Sequence, residues 1–584
     1  MKRILLVVGL ALLTLTAYLF LKDNAHDNDI LFYGGTILTM NDKKPSAEAV
    51  LIKDGKIVDV GTRDALMKHA TPSTVLRDLG GKTLMPGFFD AHGHVDIATI
   101  FYDMVDVSGA THRTPDSVWH AIRRRVEQAS PGEWIFCNGY DPILTQGIRA
   151  PSMAFLDSLA PNNPLVIISM SLHFYYANTA AFKAAVVTAA STTADKASYY
   201  EKDKNGNLTG LIVEQAAFEP FRQKLQEKLL TSFPVNLPRQ MEKYASQGIT
   251  SMVTMGLTTA NSNIMMLYRH LSAQHTTFLS NALEMAGKLP ERRAPLRHFI
   301  YLRDRDEALL PSSPAHAGDD YFKIVGIKTW YDGSPYVGSM YLNEPYVKSD
   351  YMQHDLHLEP THRGEPLLTP ESLGKLVDKY RAKGWPIAVH AQGDKALTEA
   401  MGVFADRAES ASPLRNRLEH CLLLPKPEIA RLAAVPGLSV SFHINHILYY
   451  GDFLYSDVIG TRTDHILPVK TCNDNKVVYS LHADNPMFDA NPMSLVSTAV
   501  NRSTESGRVI EQEERIQLYD ALKAVTIYAA WQVGMDHVLG SVEPGKYADF
   551  VILSTNPYTI PPKEISTVEV QETIVGGNTV WAKK

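Results

Sequence analysis

The middle of the chain alternates short apolar runs with longer amphipathic stretches, an order that is typical of parallel strands joined by helices. Residues 87–538 show this alternation. Eight strands are predicted there: one that ends at His92, and those at residues 248–255, 277–283, 321–330, 385–390, 417–421, 438–443 and 477–484. Eight parallel strands with intervening helices predict an α/β fold of the TIM (β/α)8 barrel type.

Both ends of the chain are instead rich in short strand-like runs. In residues 26–86 these runs are separated at Gly34-Gly35 and Asp54-Gly55, pairs that are typical of hairpin turns, and residues 539–584 continue the same style. We predict that the two ends form one small composite β-sandwich domain beside the barrel. Residues 97–237 are too long for a single crossover helix, which predicts an inserted subdomain that can roof the barrel mouth.

Residues 1–25 are predicted to be a signal peptide or an N-terminal membrane anchor. Lys2-Arg3 precede a mostly apolar stretch, residues 4–21, and charged residues follow at Lys22-Asp23. Because the stretch is long enough to span a bilayer and lacks a well-formed cleavage site of small residues, both alternatives stay open. Either one predicts an extracytoplasmic protein, periplasmic or secreted, with anchoring through residues 4–21 in the second case.

The composition excludes some partners and some means of stabilisation. The net charge is −6, and Lys and Arg are spread along the chain, so the basic surface that nucleic acid requires is not predicted. Three cysteines without paired spacing argue against a disulfide framework and favour buried thiols. Neither the composition nor a motif indicates an oligomeric state.

The first candidate ligands stand at the end of the first barrel strand. His92 and His94 are two residues apart, so in an extended chain their imidazoles share one face and can reach one metal ion. Gly93 between them permits close backbone packing. Alone, such a pair is more often two hydrogen-bonded histidines near a strand end, so the prediction depends on further ligand types elsewhere.

Further side chains of ligand type stand at the ends of later strands: Lys328, His390, His420 and Asp484. Because the carboxyl ends of barrel strands form one rim, these groups are expected to converge with the first histidine pair. Neutral imidazoles suit divalent metal, Zn²⁺ above all, as one ion or two. A carboxylate such as Asp484 can act as acid and base, taking a proton from water and passing it to a leaving nitrogen.

With these motifs the chain resembles the metal-dependent amidohydrolase superfamily, specifically the YtcJ-like group of amidohydrolase family 3. The resemblance covers nearly the whole chain after residue 28 and includes the segments at residues 207–210, 248–251 and 540–549. It implies that His92 and His94 bind one divalent ion, and that His390 and His420 bind a second. It also implies a carbamylated Lys328 between the ions. A lysine at a strand end is otherwise an ordinary partner in an ion pair.

Two candidate substrate contacts come with open alternatives. His173 matches a family position near the substrate, and it is equally typical of a core or capping histidine of the insertion. Trp330 belongs to a group of aromatic residues at the predicted mouth, which either line an apolar pocket or pack loops onto the barrel.

The sequence departs from the family pattern at two places, which adds imidazoles near the metal. His443 and His446 stand where relatives carry Gln-Pro-x-His, and His482 stands where relatives carry the glycine of Gly-Ser-Asp. His443 and His446 are therefore also candidate substrate contacts, with plain packing as the alternative.

These observations predict an exported metal-dependent amidohydrolase that cleaves an amide-type carbon–nitrogen bond, other than a peptide bond, in a small molecule by metal-activated hydroxide. Ester or lactone hydrolysis and deamination at the same site are alternatives, since a barrel does not fix the reaction. A metal-dependent lyase or hydratase and a silent binding protein are further alternatives, which product analysis and metal content distinguish.

Overall fold

A nearly closed barrel of eight parallel strands forms the centre of the described structure. The strands, β1 to β8, are Phe88–Gly93, Ile249–Met255, Arg297–Arg303, Phe322–Trp330, Ile387–Ala391, Arg417–His420, Ser439–Phe442 and Tyr479–Leu481. Each strand pairs in parallel with the next, and the two ends of the sheet are linked where the His94 N–H donates to the Asn485 carbonyl at 2.7 Å. The predicted α/β barrel is therefore confirmed.

The prediction of a strand at residues 277–283 is wrong. Its described part belongs to the helix Phe278–Met285, and the third barrel strand is β3, which lies between β2 and β4. A short apolar run does not by itself distinguish a strand from a helix. β3 escaped prediction because it begins and ends with arginine. Arg297 is buried there, and its guanidinium donates to both carboxylate oxygens of Asp549 at 2.6 and 2.9 Å.

Helices cover the barrel, so its strands read as continuous apolar runs rather than alternating ones. All seven residues of β2 are buried. The helices of the described chain are Arg63–Met67, Val95–Phe101, Pro115–Gln128, Met153–Leu159, Thr179–Ala184, Gln215–Ser246, Ser262–Ser272, Phe278–Met285, Pro370–Arg381, Asp394–Ala405, Ile429–Ala433, Gly451–Phe453, Val469–Asp474, Pro492–Asn501, Leu518–Ala524 and Ile527–Gln532. Several begin at a side-chain cap, as where Thr369 accepts the Ser372 N–H ahead of β5.

The computed structural model describes residues 29–170, 172–193, 198–258, 260–272, 278–408 and 414–584. The segment 1–25, with its predicted signal peptide or anchor, lies outside these residues. Within them, no helix has both the length and the apolar character that a membrane span requires. Cys137, Cys421 and Cys472 are all buried free thiols.

A separate sheet occupies the interval predicted for the insertion. Its six strands are Val105–Asp106, Ile135–Tyr140, Leu165–Ser169, Phe174–Ala177, Tyr199–Lys202 and Leu208–Val213. The chain returns to β2 through the long helix Gln215–Ser246. Side chains of this sheet, Tyr140 and Ser169 among them, line a cavity at the barrel mouth, so the insertion supplies part of the wall around the site.

Strands from both chain ends form the second predicted unit. A four-stranded sheet holds Lys56–Gly61, Ala49–Lys53, Ile30–Tyr33 and Val75–Asp78, and a six-stranded sheet holds Asn578–Ala582, Val570–Val575, Phe550–Leu553, Thr83–Pro86, Thr36–Leu38 and Ser46–Ala47. Phe32 of one sheet meets Phe550 of the other edge to face, with ring centroids 5.8 Å apart in a shared apolar core. Since the second sheet mixes early and late strands, it joins the two ends of the chain directly beside β1.

Candidate metal centre

The six predicted ligands lie together at the carboxyl end of the barrel. Oδ1 of Asp484 is 3.4 Å from Nε2 of His92 and 3.2 Å from Nε2 of His94. Oδ2 of the same carboxylate is 4.0 Å from Nδ1 of His420, whose ring centroid is 4.4 Å from that of His390. The buried ammonium of Lys328 lies close enough to lower the pKa values of His92, His390 and His420.

The local backbone at β1 explains the spacing of the first two histidines. His92 lies within β1, and His94 caps the next helix, Val95–Phe101. A Cβ atom at Gly93 would stand 2.9 Å from Oδ2 of Asp90, so a larger residue there would require the Asp90 side chain to shift.

Two of the site residues adopt a left-handed backbone conformation that residues other than glycine rarely take. The φ angle is +69° at His420 and +55° at Asp484. Each such conformation costs of order 1–3 kcal/mol and persists only where the surrounding structure imposes it. Residues held in this way concentrate at functional sites, and here the turn after β8 brings the Asp484 carboxylate to the first histidine pair.

A buried carboxylate on the neighbouring strand orients His92. The Nδ1–H of His92 donates to Oε2 of Glu419 at 2.6 Å, which leaves Nε2 as the ligand atom. Arg417 in turn lies 2.8 Å from Oε1 of Glu419, and all three side chains are buried. Metal-binding histidines commonly donate their second ring N–H to such a carboxylate, which fixes both the tautomer and the ring orientation.

Sequence reasoning assigned no functional role to Glu419, since it faces away from His420. A usable signal was present: Arg417 and Glu419 are two residues apart on a strand, so both charges share one buried face. The partner that completes this pair, His92, is 327 positions away in the chain.

Replacing Glu419 with Gln is expected to weaken zinc binding by about 10–100-fold, because the imidazole loses the carboxylate that orients it and raises its basicity. Competition titration against a chromophoric chelator measures this directly. Glu371→Gln is the matched control, since Glu371 lies on the surface in a pair with Lys375. Wild-type zinc affinity in Glu419→Gln would contradict the orienting role.

The ring of His390 is also fixed from behind. Its Nε2 lies 3.3 Å from the Gly333 carbonyl and 3.8 Å from Oδ1 of Asp332. Asp332 is itself held by the backbone N–H groups of Tyr341, Gln392 and Gly393. These contacts engage Nε2 of His390, and none of the three possible ligand sets among the described residues includes His390.

His482 stands inside the cluster, although the sequence did not single it out as a ligand. Its Nδ1 is hydrogen-bonded to Ser441 Oγ at 2.8 Å, its Nε2 lies 3.2 Å from Nδ1 of His420, and its ring stacks on His92 with centroids 4.5 Å apart. His92, His420 and His482 each offer a nitrogen within 4.8 Å of the others and can hold an ion. His92, His94 and Asp484 form a second such set, and His420, His443 and Asp484 a third.

The protonation states in the cluster, apart from that of His94, are those that a divalent cation needs. Burial opposes the charged form of His94, but the hydrogen bond to Asp484 raises its pKa. Burial lowers the pKa of His92 and of His420 well below the ordinary value, so both imidazoles are neutral at pH 7. Burial opposes the charged form of Asp484, but the hydrogen bond from His94 and the nearby imidazoles hold its pKa well below the ordinary value. Neutral nitrogens and an ionised oxygen are the donors that zinc prefers.

Lys328 has the environment of a reactive amine rather than of an ion-pair partner. Its Nζ is buried and makes no hydrogen bond within the described part of the chain. Burial lowers the pKa of Lys328 to about 8, so a fraction of the amine is neutral near pH 7. Nε2 of His92 is likewise buried without a hydrogen bond among the described residues. Unsatisfied buried groups of this kind are costly. A bound cation would satisfy the lone pair of His92 Nε2, whereas Lys328 could bind it only after losing a proton.

Two cavities meet at Asp484. The larger one, about 760 Å³, is lined by His443 and His446, and the second one, about 670 Å³, is lined by His94. In the larger cavity Nδ1 of His446 is hydrogen-bonded to the Tyr336 hydroxyl at 2.5 Å, and burial lowers the pKa of His443 to about 4. Both histidines therefore line this cavity, and their role toward substrate stays a prediction.

The other two candidate substrate contacts lie further from these cavities. Nδ1 of His173 lies 2.9 Å from Oε1 of Glu214, and its neighbours Leu172 and Phe174 line the larger cavity in its place. Trp330 lies beside Lys328, whose ammonium is 5.4 Å from the centroid of the indole ring. The roles of His173 and Trp330 toward substrate stay predictions.

Comparison with known proteins places the chain among hydrolases. The sequence profile of the amidohydrolase family matches residues 75–581. The chain is 27% identical over 576 residues to the N-substituted formamide deformylase of Arthrobacter pascens, which covers 94% of this chain and 97% of that protein. It is 26% identical over 560 residues to YtcJ of Bacillus subtilis, which covers 95% of this chain and 99% of that protein.

A solved structure shows the same fold over most of the chain. It is that of an uncharacterized metal-dependent hydrolase from Pyrococcus horikoshii, with a TM-score of 0.68 and 24% identity, and the match covers 91% of this chain and 99% of that one. The family profile spans the barrel and about half of the composite sandwich. The chain therefore belongs to the amidohydrolase family and is a hydrolase that acts on carbon–nitrogen bonds.

Proposed function

We propose that this hydrolase depends on zinc and cleaves an amide bond, other than a peptide bond, in a small molecule. The observation that carries the proposal is the approach of Asp484 Oδ1 to within 3.4 Å of two imidazole nitrogens at the barrel rim. The formamide deformylase of Arthrobacter pascens supports an N-substituted amide as the substrate class.

The donor set divides between two ions. His92 and His94 would hold one of them, His390 and His420 the second, and a carbamylated Lys328 would supply a further ligand. A divalent ion at such a site lowers the pKa of a bound water to near 7 and polarises an amide carbonyl.

Asp484 moves the proton in this proposal. It accepts a proton from the attacking water while the water oxygen adds to the amide carbon. It then delivers that proton to the nitrogen as the carbon–nitrogen bond breaks, so that a neutral amine and a carboxylic acid leave. Its low pKa keeps the carboxylate ionised at neutral pH, so that it can accept a proton. Proton transfer to the nitrogen is required because an amide anion is a poor leaving group.

His443 would assist the same step from the larger cavity. Its Nε2 is buried and makes no hydrogen bond to the described residues, so with the ring proton on Nε2 it can donate to a substrate oxygen. A donor at this position suits the negative charge that develops on the carbonyl oxygen.

A panel of N-acyl amines tests the reaction. We expect the zinc-loaded protein to release equal amounts of amine and carboxylic acid, detected by mass spectrometry. Free ammonia from a ring amine, an acid and alcohol from esters only, or a product formed without net addition of water would each point to another reaction. Any of these with no amide cleavage would contradict the proposal.

Lys328 is expected to carry a carbamate. Its unprotonated amine would add to carbon dioxide and lose a proton, forming a carboxylate with two oxygens for the two ions. Protein incubated with ¹³C-bicarbonate and zinc should show one carbamate resonance by NMR, absent in Lys328→Ala and retained in Lys375→Ala, a surface control. A wild-type protein with full zinc and no carbamate signal would contradict this role.

We also propose that the protein is exported through residues 1–25. The basic pair Lys2-Arg3 followed by the apolar stretch 4–21 supports it. Recovery of the protein from the cytoplasm alone, after expression of the full chain in a bacterial host, would contradict export.

A further inference from the structure

The two cavities at the barrel mouth share Asp484 as a common wall residue. Ser169 and Met170 of the insertion and Met487 after β8 also line both of them. Since Asp484 is the proposed acid/base, the bond that is cleaved must lie beside it. A substrate at that position has room on both sides, and each cavity is within the size range of sites that enclose small molecules.

The lining of the larger cavity is mostly apolar. Tyr140 and Ile148 of the insertion line it, as do Val337 and Leu356 from the connection between β4 and β5. Its polar lining includes His390, His443 and His446 near the proposed chemistry, and also Asp141 and Arg149.

The second cavity also reaches the Asp484 carboxylate, but its lining is more polar. His94 lines it together with the apolar side chains of Ile97, Ala110 and Phe488. Asp106, Asn138 and Gln240 line it as well, and the Lys243 ammonium pairs there with Asp489 at 2.8 Å. Both cavities therefore have room for a substituent beside the cleaved bond, and the larger one is the more apolar of the two.

We infer that the substrate is an amide with a bulky group on each side of the cleaved bond, one for each cavity. The inference rests on the proposed function and narrows it. A formamide has only hydrogen on its acyl side, so it would leave one of the two cavities without a substrate group. A substrate group that fills such a pocket raises kcat/KM by roughly tenfold or more over a substrate that lacks the group.

Three related amides test the inference: N-(phenylacetyl)benzylamine and its truncated forms N-formylbenzylamine and N-methylphenylacetamide. The two-armed parent is expected to exceed both truncated amides by roughly tenfold or more in kcat/KM. A truncated amide that equals or exceeds the parent would overturn the inference, although amide hydrolysis itself would stand.

Binding of the same three compounds keeps the test decisive if none of them turns over. Calorimetry with the zinc-loaded Asp484→Asn protein should give the tightest binding for the parent. That order without turnover in the wild type would uphold the two-armed site and reject the proposed reaction. Equal binding of parent and truncated amides would overturn the inference.

Two filling variants assign the arms. Val337→Trp reduces the larger cavity and Ala110→Trp the second one, whereas Leu367→Trp places the same side chain at an exposed position outside both. Each filling variant should lower kcat/KM for the parent roughly tenfold and spare one truncated amide, a different one for each variant. Equal losses on all three amides, or no loss, would contradict separate arms.

Discussion

Replacing Asp484 with Asn is expected to lower kcat for an amide by about 10²–10⁴-fold while the zinc content stays at the wild-type level. Asparagine keeps the shape of the side chain and removes its ability to take a proton from water and return it to nitrogen. The four imidazoles at His92, His94, His390 and His420 remain to hold metal. Steady-state kinetics together with elemental analysis of the same preparations measures both quantities.

The dependence on the leaving group separates this role from a structural one. An acyl p-nitroanilide leaves more easily than an alkylamine, so the loss in Asp484→Asn should be smaller for the anilide. Asp474→Asn is the matched control, because Asp474 is a half-exposed surface carboxylate near Lys470. Retained amide turnover in Asp484→Asn, or an equal loss on both substrates with lost zinc, would remove the assigned role.

Removal of the metal is expected to abolish turnover altogether. Without an ion, water keeps a pKa near 15.7 instead of about 7, so almost no hydroxide forms at neutral pH. Prolonged dialysis against a chelator, followed by return of zinc, should eliminate and then restore activity. The melting temperature should fall in the metal-free protein, since the ion binds the folded state in preference to the unfolded one.

The metal experiment has one control variant and one outcome that would contradict it. Asp484→Asn should take up zinc after the same treatment without regaining turnover, which separates metal binding from catalysis. Full activity in protein shown by elemental analysis to hold no metal would reject the metal-dependent reaction.

Much of the barrel could be predicted because its strands are buried on both faces and separated by helices. The candidate ligands followed from the barrel, since the ends of its strands meet at one rim. The failure at residues 277–283 has a physical cause as well. Apolar content marks burial and not strand geometry, whereas β3 contains Arg297, whose burial depends on Asp549 from the far end of the chain.

The residues that contact and orient the predicted ligands were harder to predict from the sequence, because the two partners of each contact lie far apart in the chain. Glu419 gains its role from His92, on a different strand, and His482 from His420. The cavities depend on three separate regions, the insertion and the loops after β4 and β8. Only the folded structure shows that Asp484 lines both cavities.

The proposed amide hydrolysis depends on a cationic centre shared by residues far apart in the sequence. Diffraction from crystals grown with zinc, recorded on both sides of the zinc absorption edge, locates such ions directly. We expect an anomalous peak about 2.0–2.2 Å from nitrogens of His92 and His94, with a second such peak at His390 and His420. Zinc-loaded crystals with no peak at this rim, or with zinc bound only elsewhere, would contradict the account.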